Sequence, residues 1–288
     1  MVYIVLVSYS KFSDISNFLQ SVMNSENIAL SLIIMDNLGD KELKHWASTF
    51  ERASYYSEGN LGYGSAINFA VKKINLETND QVIICNDDLQ IKVNTFRLLL
   101  DGYKALKARC LNLGPVSPWF MRDTGEDQST RYENIKNLGN DVLKVDFSPA
   151  AMWLLDYDLI KLVGGFLPEF FMYAEDKEYV FRAKALGFDL YTFRNIEVVH
   201  NFDYPPKSKP LRIEKIRNTF LADFLNNSGN SRNPHIHVVK ALLVSLRDRD
   251  LSRFHNYVVG YFRFVKNIQS FRKIKQSHKG SVPFRYVS

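Results

Sequence analysis

Three clusters of acidic and amide side chains stand where a folded chain can use them for chemistry. Asn86-Asp87-Asp88 follows an apolar run at 82–85, and Asp36-Asn37 follows another at 31–35. Carboxylates grouped at a strand end are hard oxygen ligands suited to Mg²⁺ or Mn²⁺, and such an ion can bridge a diphosphate. The plainer reading is a turn or helix cap, which Asn and Asp also favour. Asp36 and Asn37 carry the groups needed to hold a base or a ribose, or to make an ordinary polar turn. The third cluster, Glu175-Asp176, opens a helical pattern directly behind Phe170-Phe171-Met172-Tyr173. Aromatic rings beside a carboxylate exclude water and raise its pKa towards that of a general base; simple capping of the helix is the alternative. Asn60-Leu61-Gly62-Tyr63-Gly64, with Asn68 beyond it, supplies tight backbone at a helix start, suited to close approach of a nucleotide. His200 ends an apolar run and offers an imidazole metal ligand, although a lone histidine more often serves structure.

These groups need a scaffold that delivers them to one place. Apolar runs at 2–7, 31–35 and 81–85 read as buried strands, and a further strand is placed at 53–56 before the turn Glu58-Gly59-Asn60. Between them Ile15, Phe18, Leu19 and Val22 keep helical spacing, and residues 67–74 read as a helix. Strands alternating with helices predict an α/β fold, a mostly parallel sheet with helices on both faces. Ligands bind such sheets at the carboxyl ends of the strands. Three of the four strands end in Ser8, Asp36-Asn37 and Asn86-Asp87-Asp88, which places a site before any motif is named. Further on, 150–155 is apolar and Gly164-Gly165 punctuates the chain. Residues 175–186 then read as a helix with acids in its first turn and Gly187 past its end. A short strand at 191–200 follows, and Pro205, Pro206 and Pro210 mark a linker to helical patterns rich in aromatic and basic residues.

The chain's 288 residues suffice for a full-sized core with a smaller appended unit. Its 46% hydrophobic content excludes a disordered chain. Two cysteines, Cys85 and Cys110, exclude a disulfide framework and favour a reduced, cytoplasmic setting. No apolar stretch approaches the roughly 18 to 20 residues of a membrane span. The start reads as a strand rather than a signal peptide. The net charge of +6 is unevenly divided. Residues 236–288 hold eleven Lys and Arg against Asp248 and Asp250, +9, and the remainder carries −3.

The order and spacing of the motifs carry more than each alone. Asn60-Leu61-Gly62-Tyr63-Gly64…Asn68, then Asn86-Asp87-Asp88, then Gly164-Gly165-Phe166…Phe171-Met172-Tyr173-Ala174-Glu175-Asp176…Arg182, then His200, resembles glycosyltransferase family 2, and within it the bacterial rhamnosyltransferase group. The resemblance covers about residues 2–201. It implies a GT-A fold, residues 1–204 as the catalytic domain, and 205–288 as a helical C-terminal region. It implies a nucleoside-diphosphate sugar donor, dTDP-rhamnose first, and inversion at the anomeric carbon. The acceptor would be a glycan or polyprenyl-linked glycan in cell-surface polysaccharide synthesis such as O-antigen or capsule. By the same resemblance Asp36 contacts the base, Asp88 binds Mn²⁺ or Mg²⁺, His200 helps hold metal or diphosphate, Asp176 is the catalytic base and Glu175 the acid beside it. Ser8, Asn37, Asn60, Gly62, Asn68, Asn86 and Asp87 complete the expected nucleotide-sugar site. Arg217-Asn218 matches a pair common in the group, without a role attached.

The chain departs from the family pattern in places. Asp87 stands where proline is usual, which opens a ligand shift from Asp88 to Asp87. Leu167 replaces an acid, Glu178 keeps a charge with longer reach, and Ser148-Pro149-Ala150-Ala151 replaces a Gly-Ala pair. A sugar nucleotidyltransferase would want a Gly-rich basic loop after the first strand, where this chain has Ser8-Tyr9-Ser10-Lys11. A non-catalytic carbohydrate-binding or scaffold protein would be expected to have lost an acid, yet Asp36, Asp88, Glu175 and Asp176 are all present. A nucleic-acid partner would explain the basic tail but not the acidic strand ends. In that tail Val238, Val239, Ala241, Leu242, Leu243 and Leu246 alternate with Lys240 and Arg247. Tyr257, Tyr261, Phe262, Phe264 and Phe271 are interleaved with Arg263, Lys266, Arg272 and Lys273. Two readings stand side by side: a peripheral contact with an anionic membrane at the inner face of the plasma membrane, or a helical subdomain with a solvated basic face.

Overall fold

The computed structural model describes residues 1–25, 29–109, 112–129, 132–200, 208–226 and 233–277. The first half runs β1 (Val2–Ser8), α1 (Phe12–Met23), β2 (Leu30–Asp36), α2 (Lys41–Ser48), β3 (Ala53–Tyr56), α3 (Tyr63–Lys73) and β4 (Gln81–Asn86). The four expected strands are thus present, the segment 53–56 lying partly exposed at the sheet edge. On α1 the buried residues are Ile15, Phe18, Leu19 and Val22, the stripe that the helical spacing requires. Asp40 starts α2 by accepting a hydrogen bond from Leu43 N at 2.9 Å.

The chain continues through β5 (Leu89–Gln90), α4 (Thr95–Lys107), β6 (Leu113–Met121), β7 (Lys136–Asn137), β8 (Val142–Val145), β9 (Met152–Asp156), α5 (Tyr157–Val163), α6 (Glu175–Ala185) and β10 (Asp189–His200). Among the described residues all these strands form one sheet in the order β3-β2-β1-β4-β9-β6-β10-β8-β7, with β5 paired to β10. The first four are parallel, β9 is inserted antiparallel between β4 and β6, and β10 runs parallel to β6. Sheet and flanking helices bury one continuous apolar core.

Register brings the chemistry together. Ser8 pairs with Asp36 and Val7 with Asn86, so three polar strand ends line up on one edge. The antiparallel pairing of His200 with Leu89 sets the imidazole beside the residue preceding Leu89, which is Asp88.

Four helices follow: α7 (Lys209–Leu225), α8 (Pro234–Arg247), α9 (Leu251–Lys266) and α10 (Ile268–Ser277). Pro210 does not belong to a linker. It sits in the first turn of α7, where a missing N–H leaves no gap, behind the N-cap Ser208. Pro205, Pro206 and Cys110 lie outside the described residues. The C-terminal helices share a second core, in which Phe220, Val238, Phe264 and Phe271 pack with Leu167 and Phe170. Each such buried side chain contributes about 1.5–3 kcal/mol. The loop ahead of α6 is therefore part of the C-terminal core, and Leu167 is apolar because it faces that core.

Candidate functional site

At the strand edge, Ser8 Oγ donates to Asp87 Oδ2 at 2.8 Å and Tyr9 N donates to the same oxygen at 3.0 Å. Burial raises the Asp87 pKa against these two bonds. Asp36 accepts from Leu38 N, Gly39 N, Asp40 N and Tyr55 Oη, all between 2.7 and 2.9 Å. Four donors match the four lone-pair directions of a carboxylate. Asp36 thus shapes the loop into α2, and contact with a base would require it to give up one of these bonds. Asn37 Oδ1 accepts from Leu61 N at 3.3 Å, which ties the second strand end to the turn before α3. Asn60 Oδ1 closes that turn on Gly62 N at 3.1 Å, and Asn86 N donates to Ala151 O at 2.9 Å.

Two residues expected at the nucleotide make contacts with the chain's own loop. Gly62, at φ 75°, lies against the Phe171 carbonyl, and a Cβ there would overlap that oxygen. Tyr63 N donates to the same carbonyl at 3.2 Å. Asn68 is wholly buried, with Nδ2 donating to Phe166 O and Oδ1 accepting from Phe166 N, both at 2.8 Å. The close approach allowed by the glycine turn is to the chain's own loop. The glycine turn and the Glu175-Asp176 motif are therefore mechanically joined: α3 holds the loop that carries the two acids. Glu178 completes the support, since Arg182 donates to both of its carboxylate oxygens at 2.9 Å and to the carbonyls of Val163 and Gly165.

The aromatic run does not form a single wall. Phe170 is fully buried in the C-terminal core while Phe171 is exposed. The carboxylate kept from water is Glu175, which is 7% exposed, whereas Asp176 remains half-buried. Burial, and after it the charge of Asp176, pushes Glu175 up to about 8. Environment thus separates the two acids: Glu175 is the buried one, its carboxyl pushed up by burial, and Asp176 is the more accessible one. Raising an acid's folded pKa from 4.5 to about 8 makes stability fall as pH rises through that window, by at most about 1.4 kcal/mol per pH unit. Glu175→Gln mimics the protonated acid and is expected to flatten this slope, read as melting temperature between about pH 5 and about pH 8. A slope unchanged from wild type would refute the assignment.

Tyr63 was not singled out from sequence. Its hydroxyl donates to Ala150 O at 2.5 Å. Its pKa is raised well above the usual phenol value by burial, with Cys85, Glu175, Asp176 and Asp88 adding to the effect. Tyr63 stands at the start of α3, where the backbone of the Glu175 and Asp176 loop is joined through Phe171 O. Only its place inside the glycine turn hinted at this.

Arg217 and Asn218 acquire a role here. From α7, Arg217 donates to Glu169 O at 2.7 Å and the fully buried Asn218 donates to Met172 O at 2.8 Å. Immediately after Met172, Tyr173 and Ala174 take φ 69° and 66°, a left-handed pair of non-glycine residues that needs external support. The sequence pattern contained both residues, but their partners are set by irregular loop backbone. Asn218→Asp keeps the size and loses the N–H donor. If the loop positions Asp176, turnover should fall about tenfold or more with donor KM unchanged. A parallel loss in both parameters would mean general destabilisation instead.

Asp88 Oδ2 lies 3.2 Å from His200 Nε2, on a ring that is 3% exposed and faces Phe120. Among the described residues no three His, Cys, Asp or Glu side chains gather as a metal cluster. Mg²⁺ and Mn²⁺ commonly take one or two carboxylates and fill the remaining positions with phosphate oxygens and water. One carboxylate beside one imidazole fits such a half-site, and the engagement of Asp87 by Ser8 and Tyr9 favours Asp88 over Asp87.

No family model matches the sequence. The chain is 22% identical to the low-salt glycan biosynthesis hexosyltransferase Agl10 of Haloferax volcanii, over 69% of its own length and 66% of that protein. It is 24% identical to the rhamnosyltransferase WbbL of Escherichia coli, over 69% of its own length and 83% of that protein. In three dimensions it is similar to S. aureus TarS, with TM-score 0.58 and 14% identity over 88% of this chain and 44% of that one. A second TarS structure, residues 1–349 in complex with UDP, gives TM-score 0.54 at 14% identity over 85% and 70% of the two chains. This chain thus spans just under two thirds of the hexosyltransferase and less than half of the longer TarS chain. It has a GT-A-type α/β fold and resembles the glycosyltransferases of family 2, with a rhamnosyltransferase among its relatives.

Proposed function

We propose that this chain is an inverting glycosyltransferase that moves a sugar from a nucleoside diphosphate to an acceptor hydroxyl. The observation that carries the reading is the alignment of Ser8, Asp36 and Asn86 at the carboxyl edge of the sheet, with Asp88 3.2 Å from His200 beside them and the loop of Glu175 and Asp176 tied to the start of α3. The complex of the similar TarS with UDP supports a nucleotide-sugar donor. The named relatives support sugar transfer, and the rhamnosyltransferase makes dTDP-rhamnose the first donor to test. Ser8, Asn37, Asn60, Asn86 and Asp87 frame the nucleotide side of the edge.

Asp176, the more accessible of the two acids, takes the proton from the acceptor hydroxyl as that oxygen bonds to the anomeric carbon. The bond from that carbon to the diphosphate breaks on the opposite face, which inverts the centre and releases the nucleoside diphosphate. Glu175, kept protonated by burial, adds no second charge that would repel the diphosphate. Asp88 and His200 would hold Mn²⁺ or Mg²⁺, whose chemistry is neutralisation of the leaving diphosphate. The acceptor is a glycan or polyprenyl-linked glycan met by a cytoplasmic, peripheral protein.

The test is a panel of nucleotide sugars with Mn²⁺, read by thermal shift and by release of nucleoside diphosphate. One donor, dTDP-rhamnose first, should raise the melting temperature and be turned over. A panel without any shift or turnover would overturn the reading.

A further inference from the structure

The C-terminal helices carry apolar side chains on two opposite faces. Inward, Val238, Ala241 and Ser245 of α8 and Asn256, Gly260 and Phe264 of α9 are buried. Outward, Ile236, Val239, Leu243 and Leu246 of α8 are 55–61% exposed. At 100° per residue these four fall within an arc of about 80°. Leu251, Val258, Phe262 and Val265 of α9 are likewise exposed, Phe262 by 67%, within an arc of about 60°. Eight of the seventeen exposed large hydrophobic residues among the described ones sit on this hairpin. Such clustering marks a contact surface, which scattered single residues do not.

Charge selects the partner. Lys240 and Arg247 border the α8 stripe, Lys266 borders the α9 stripe, and all three are exposed. The hairpin's acids are engaged: Asp248 with Arg247 at 2.9 Å and Arg253 at 3.7 Å, and Asp250 as the N-cap of α9. A second copy packed through the same face would oppose basic rim to basic rim. An anionic surface complements it, and no helix among the described residues is long and apolar enough to cross a membrane.

We propose that the outer face of the α8–α9 hairpin lies on an anionic lipid surface, its apolar stripes at the headgroup boundary and its basic rims on lipid phosphates. This deepens the peripheral location given above and is independent of sugar transfer. It also divides the tail's hydrophobic residues, since Val238, Ala241 and Phe264 hold the fold while Val239, Leu243 and Phe262 meet the lipid.

The full chain, without donor, is sedimented with phosphatidylcholine vesicles containing or lacking phosphatidylglycerol. It should bind only the anionic vesicles, and salt should weaken the binding. Leu243→Ser with Phe262→Ser, and separately Lys240→Glu with Lys266→Glu, should each weaken binding about tenfold or more. Circular dichroism and transfer to a short soluble acceptor should be unchanged in both. Binding lost while transfer persists would support the surface; transfer lost in wild type would instead count against the proposed reaction. The proposal is overturned if the full chain ignores anionic vesicles at low salt or if both double variants bind like wild type. It is equally overturned if the chain is an oligomer that Leu243→Ser with Phe262→Ser dissociates.

Discussion

Asp176→Asn is expected to lower turnover by about 10²–10⁴-fold, the usual worth of a general base, and to leave donor affinity intact. Asparagine keeps the size of the side chain and the local bond by which Lys177 N donates to Oδ1 at 2.7 Å, so the start of α6 should survive. What disappears is the more accessible carboxylate of the pair, while Glu175 stays buried beside it. Donor binding is expected to persist because the residue stands on the loop side of the site, away from the strand ends of β1, β2 and β4. Calorimetry with the donor or its nucleoside diphosphate, beside single-turnover kinetics, separates the two quantities. Wild-type turnover in this variant would place the base elsewhere, with Glu175 the first alternative to examine.

Asp88→Ala should be nearly as damaging, by about 10²–10³-fold, if a divalent ion neutralises the leaving diphosphate. Chelation should stop the reaction and Mn²⁺ or Mg²⁺ should restore it in wild type but not in the variant. The expectation rests on the single carboxylate that the β5–β10 pairing places 3.2 Å from His200. Asp87→Asn offers a contrast. Its carboxylate is held by Ser8 and Tyr9, so the variant should disturb the first strand end without abolishing metal rescue. Full activity in chelator would remove both Asp88 and His200 from the metal role.

The strands that build the site were legible because each is an unbroken apolar run, and parallel strands buried on both faces read that way. α1 and α6 were legible from helical spacing and from the acids at the start of α6. β6 was not. Pro115 and Pro118 argue against a strand, yet Pro118 O accepts from both Thr192 Oγ1 and Tyr132 Oη at 2.9 Å, so side chains supply bonds there. The two-residue strands β5 and β7 have too little sequence to register, although β5 delivers His200 to Asp88.

Within the site, the acids were visible as residue types at strand and helix starts. Their division of labour was not, because it depends on which carboxyl the loop buries. That in turn depends on Tyr173 and Ala174 adopting left-handed backbone, a choice imposed by Asn218, Arg217 and Gly62 from distant elements. The same long-range packing turns Phe170 inward and Phe171 outward, which a run of aromatic residues alone cannot express. The bonds of Asn68 were illegible for a related reason: an amide near a glycine turn does not show in sequence that its two ends meet the backbone of Phe166.

The central claim is that the donor lies at the carboxyl ends of β1, β2 and β4, facing the loop that ends in Glu175 and Asp176. Hydrogen exchange of the full chain, with and without dTDP or UDP in the presence of Mn²⁺, tests it most directly. Slower exchange is expected in the backbone segments following Ser8, Asp36 and Asn86, where three adjacent strands end on one edge. Protection confined to other parts of the sheet or to the C-terminal helices, with these three segments unchanged, would contradict it.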